Sequence, residues 1–91
     1  MIQITAIRLG EGKAHEHPTE VRWRSASTSA GQSTREAIVD WLSVSSANQA
    51  VVADGSKCVP VLVVRPVNQA PYVRTYADGV WTDNLLALPT F

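Results

Sequence analysis

At 91 residues the chain has room for one domain, spanning 1–91, with a single hydrophobic core. Its 45% apolar and 18% charged residues place it with globular chains and exclude a disordered one. Eight basic residues balance eight acidic ones, so no overall charge draws it to nucleic acid or an anionic membrane; such binding has to come from a local patch.

The lone Cys58 cannot form an internal disulfide and suits a reducing compartment. The opening MIQITAIRLGEGKAHEH lacks the basic-then-apolar pattern of a signal peptide. No apolar run reaches the roughly 18–20 residues that a bilayer span needs. These features predict a soluble, cytoplasmic protein without membrane contact.

Residues 2–9, IQITAIRL, place Ile2, Ile4 and Ala6 on one face and Ile7 and Leu9 on the other. That change of phase predicts a strand with a bulge. GEGK at 10–13 reads as a turn. A second strand over Glu20 to Ser25 sets Val21 and Trp23 against Arg22 and Arg24, and the two strands form an antiparallel hairpin. SASTSAGQ, 25–32, is small and polar and reads as a loop.

STREAIVDWLSV then carries a helix. Ser33 and Glu36 have the spacing of a capping box, in which each side chain satisfies the other residue's free backbone N–H. Ile38, Trp41 and Leu42 form an apolar stripe flanked by Ala37 and Val44, and Asn48 suits a left-handed C-terminal position. QAVVADG and CVPVLVV read as two strands joined at Asp54-Gly55, with Pro60 marking an edge or a bulge. PYVRTYA follows as a fifth strand. The expectation is an α+β domain: an antiparallel sheet of about five strands, in the order β-β-α-β-β-β, with one amphipathic helix on one face.

The chain closes on RTYADGVWTDNLLALPTF. Asp78-Gly79 makes a turn, Thr82 or Asp83 caps a short helical turn through Asn84, Leu85 and Leu86, and Pro89 stops it. Leu85, Leu86, Leu88 and Phe91 then dock as a lid over core that one helix cannot cover; the alternative is an exposed docking peptide for a partner.

Tyr72-Val73-Arg74-Thr75, Ala77-Asp78 and Asp83-Asn84-Leu85-Leu86 with Leu88-Pro89 resemble a short bacterial family catalogued as domain of unknown function 3892. Ile4-Thr5-Ala6-Ile7-Arg8, the His15/His17 segment and Val21-Arg22-Trp23 resemble it as well. The resemblance covers nearly the whole chain and implies no activity.

His15 and His17, two apart on a strand, point the same way as a zinc-binding pair would. A third ligand, from Cys58, Asp54, Asp78 or Asp83, can come only through folding, so a solvated pair without metal or cofactor is expected. Asp78 and Asp83 read as a turn residue and a cap rather than paired carboxylates. The serines have no G-x-S-x-G elbow, GEGK lacks the length of a phosphate loop, and Cys58 beside Lys57 reads as a small thiol packed in or near the sheet. An enzyme is not expected.

Binding is better provided for. Tyr72, Arg74 and Tyr76 alternate onto one side of the last strand, as Arg22 and Arg24 do on the second. If the faces coincide, arginines interleave with tyrosines on the open side of the sheet. Six of the eight basic residues are Arg, which suits protein interfaces as well as nucleic acid. The leading expectation is a non-catalytic module that binds an unknown protein or self-associates as a homodimer, through the strand edge near Pro60 or the open face. A nucleic-acid-binding domain that stacks bases on the Arg/Tyr face is the alternative.

Overall fold

The computed structural model describes residues 1–10, 18–25 and 29–91, the side chain of Asp54 excepted. Among them run strands β1 (Ile2–Leu9), β2 (Pro18–Ser25) and β3 (Ala30–Thr34), helix α1 (Arg35–Val44), and strands β4 (Ala50–Asp54), β5 (Lys57–Val64), β6 (Tyr72–Ala77) and β7 (Val80–Thr82). The strands form one sheet in the order β3-β2-β1-β4-β5-β6-β7. A sheet-rich domain with one helix agrees with the sequence; five antiparallel strands do not. There are seven, and the sheet is mixed because β4 runs parallel to β1. The helix explains the mixture. It is the return stroke between β3 and β4, so β4 leaves in the direction that β1 and β3 already have.

Pairing between β1 and β2 shifts between Ile4 and Ala6, at the predicted bulge. The extra residue lets Ile4 and Ile7, three apart, both face the core at 0% exposure. Around them the core gathers Ile2, Val21, Ala50, Val52, Val61 and Val73 from the sheet and Ile38 and Val39 from α1. All of α1 lies on this face. Its stripe is rotated from the expected one: Val39 is buried, whereas Ala37 is exposed and Val44 is 80% exposed.

Two local expectations fail because tertiary contacts claim the residues. The N-cap of α1 is Thr34, whose hydroxyl accepts from the Ala37 N–H at 3.2 Å. Ser33 is engaged instead by the Trp23 indole, whose Nε1 donates to Ser33 Oγ at 3.0 Å. The same indole explains why residues 30–32, expected as loop, extend β3. Trp23 pairs across the ladder with Gly31, and a Cβ at Gly31 would stand 2.6 Å from Trp23 Cζ2. Glycine leaves the indole room to lie over the edge strand.

Beyond α1 the chain leaves extended at Ser45, and Asn48 caps through its side chain rather than a left-handed backbone: Nδ2 donates to the Trp41 carbonyl at 2.8 Å. Left-handed conformations fall at the turns, with φ +62° at Gly55, +53° at Asp78 and +82° at Gly79. Pro60 marks no edge, since β5 lies between β4 and β6. Pairing with β6 begins one residue later, at Val61, so the ladder on that side does not include the proline.

The closing residues act as a lid and more. A helical turn over 84–87 puts Leu85 into the core at 0% exposure, with Leu86 and Leu88 packed against it. Thr75, also fully buried, anchors the turn: its hydroxyl donates to the Thr82 carbonyl at 3.0 Å and accepts from Leu85 N–H at 3.4 Å. The last residues enter the sheet itself. Ile7 N–H donates to the Pro89 carbonyl at 2.9 Å and Phe91 N–H to the Ile7 carbonyl at 3.0 Å. β4 pairs with β1 only at Ile2 and Gln3, and residues 89–91 take up the edge of β1 that β4 leaves.

Candidate interaction face

Strand alternation sends every second residue to the side opposite α1, which no described helix or strand covers. The five residues singled out in the sequence, Arg22, Arg24, Tyr72, Arg74 and Tyr76, all point there, because their neighbours Val21, Val73 and Thr75 are buried on the other side. Sharing a face does not bring them together. β1, β4 and β5 separate β2 from β6, and four strand steps amount to about 19 Å. The face has a cationic half and an aromatic half rather than one interleaved cluster.

On the cationic half, Arg22 stacks on the Phe91 ring with its guanidinium carbon 4.1 Å from the ring centre, and Arg8 does so at 4.7 Å. Arg8 also pairs with Glu20 at 3.2 Å. Arg22 therefore helps hold residues 89–91 in the sheet. Arg24 donates to Gln3 Oε1 at 3.5 Å. Among the described residues, Arg22 and Arg24 have no carboxylate partner.

On the aromatic half, Tyr76 and Trp81 meet edge to face, with ring centres 5.0 Å apart. Leu62 and Trp81 remain 42% and 40% exposed, and Pro60, two residues before Leu62 on β5, is exposed as well. Arg74 is fastened down: its guanidinium donates to the Thr82 carbonyl at 3.4 Å and pairs with Asp83 at 3.5 Å. Asp78 sits in the turn before β7, with φ +53°.

The halves are joined by a single transverse row. Across the ladders, Arg24 pairs with Gln3, Gln3 with Val51 and Val51 with Pro60. The β5–β6 register, carried one residue past Val61↔Thr75, sets Pro60 beside Tyr76, which pairs with Trp81. At the Arg24 end the surface dips into a groove of about 550 Å³ lined by Met1, Gln3, Arg24, Val51 and Cys58. Cys58 is exposed there and not packed into the sheet.

Trp81 and Leu62 were not among the residues singled out, Pro60 was named only for a strand edge or bulge, and Phe91 only for the lid. Trp81 had a signal. Asp78-Gly79 is a two-residue hairpin turn, and counting outward pairs Ala77 with Val80 and Tyr76 with Trp81. Phe91 had none, since nothing local brings a residue near position 91 against Arg8 and Arg22. His15 and His17 lie outside the described residues. Among those described, no three His, Cys, Asp or Glu side chains gather as a metal site would require. No helix among them is long and apolar enough to cross a membrane.

The family model described as protein of unknown function (DUF3892) matches residues 3–89. No curated protein and no solved structure matches the chain.

Proposed function

This chain belongs to the DUF3892 family, and we propose that it is a small non-catalytic module that binds another protein through the open face of its sheet. The observation that carries this reading is the contiguous apolar surface of Pro60, Leu62, Tyr76 and Trp81, left uncovered beside α1's well-filled core. Contiguous exposed apolar groups mark contact surfaces, and Trp, Tyr and Arg are the residues most often dominant in them. The lone cysteine suits a reducing compartment, and we place the domain in the cytoplasm.

Affinity capture from the native cell tests the reading with two baits, the wild-type chain and a Leu62→Glu/Trp81→Glu variant with an unchanged circular dichroism spectrum. A protein retained by the first and lost by the second supports it. Identical capture by both baits sinks it.

Nucleic-acid binding is supported by Arg22 and Arg24, and by Tyr72 four strand steps away. Stacking needs flat, free rings. Phe91 is covered by two guanidinium groups, Tyr76 and Trp81 lock each other edge to face, and Arg74 is held by Asp83. The protein-binding reading therefore has the better support.

A further inference from the structure

We infer that the occupant of the open face is an acidic, amphipathic segment of a partner protein, its carboxylates over Arg22 and Arg24 and its apolar side chains over Pro60, Leu62, Tyr76 and Trp81. The inference rests on the protein-binding reading and names the chemistry of the partner. Two features of the face select that occupant.

The first is charge. Arg8, Arg22, Arg24 and Arg74 face this side, against Glu20 on β2 and Asp83 beside Arg74. Glu20 is taken by Arg8 and by the Gln32 amide, and Asp83 lies against Arg74. Among the described residues that leaves Arg22 and Arg24 as the excess charge, with the Arg24 groove otherwise lined by uncharged side chains. Covering two arginines strips their water, and carboxylates return more of that cost than neutral acceptors do, so this half favours a negative occupant.

Size is the second. Seven strands span about 29 Å, and an average strand of about six residues about 20 Å, so the face is about 600 Å² in outline. A standard protein interface takes about 800 Å² from each partner. A second copy stacked face to face falls short of that area and sets the same arginine-rich face against Arg22 and Arg24, with its Glu20 and Asp83 already against Arg8 and Arg74. A linear segment fits better. The row from Arg24 to Tyr76 crosses about 19 Å, the length of a helix of about 13 residues or an extended chain of about 6. The alternation along that row, charge then apolar then aromatic, asks for acid at one end of the segment and large apolar side chains at the other.

Selection from a displayed library of random peptides about 16 residues long, with the full chain as bait, reads the preference directly. Enriched peptides should be net acidic and carry Leu, Phe or Trp, and on titration should shift the Trp81 indole and the amides of β5–β7. Replacing their Asp and Glu by Asn and Gln should weaken binding by about tenfold. Arg24→Glu, which leaves the Arg22–Phe91 contact in place, should do the same, and raised salt should erase the difference. Enrichment of neutral or basic peptides on the same face overturns the acidic preference and leaves the protein-binding reading standing. If nothing enriched shifts open-face signals, both fall. Displacement of the peptides by oligothymidylate, or by dimerisation of the chain in sedimentation, also overturns the inference.

Discussion

Leu85→Ala is the most direct test of what the closing residues do. The side chain is at 0% exposure in the common core, so its loss leaves a cavity that the surrounding side chains fill only in part. Truncating a fully buried leucine costs about 2–5 kcal/mol, the transfer term plus the cavity left behind. At about 0.05–0.15 kcal/mol per residue, a chain of this length holds about 5–14 kcal/mol in all, so the substitution removes about a third of it. The melting temperature should fall by about 8–40 °C, at about 4–8 °C per kcal/mol for a domain of this size. Urea unfolding followed by tryptophan fluorescence measures it, with an unchanged slope showing that the midpoint alone has moved. Removing only Thr90 and Phe91 is milder. It forfeits the Phe91 N–H bond to Ile7 and the ring beneath Arg8 and Arg22, together about 2 kcal/mol. Removing 84–91 should unfold or aggregate the chain. A Leu85→Ala midpoint indistinguishable from wild type, or a monomer ending at Asp83 with dispersed amide signals, would refute the lid and make LLALPTF the docking peptide.

Gly31→Ala should destabilise by about 1–3 kcal/mol and red-shift the fluorescence, because the new methyl displaces the Trp23 indole. Wild-type stability in urea would mean that β3 swings aside freely. Thr75→Val keeps the shape but takes the acceptor from the buried Leu85 N–H and the hydroxyl donor from the Thr82 carbonyl, at about 1–3 kcal/mol; a neutral result would dissolve the proposed anchor. Arg74→Ala breaks a partly exposed pair with Asp83 and should cost under about 1 kcal/mol while leaving the domain folded, as judged by amide dispersion. Chelator should leave the melting temperature unchanged, and stoichiometric zinc in protein purified without added metal would contradict that.

Local chemistry decided a good deal. The phase slip in IQITAIRL located the bulge, the helix followed from its apolar stripe, and Asp54-Gly55 and Asp78-Gly79 supplied left-handed turns because so few other residue pairs adopt them. Alternation correctly set Arg22 and Arg24 against Val21 and Trp23, and Arg74 against Val73 and Thr75. What these signals share is a range of a few residues. Strand order has no such range. That β1 takes β4 as a parallel neighbour, and that residues 89–91 fill the edge β4 leaves, depends on α1 returning the chain across the sheet. The same cause parted Arg22 from Tyr76 by three strands, gave Ser33 to an indole instead of a capping box, and turned Phe91 from a core residue into a ring held under two arginines on the open face. Periodicity says which way a side chain points; only the packed sheet, where distant strands compete for the same neighbours, says what it meets.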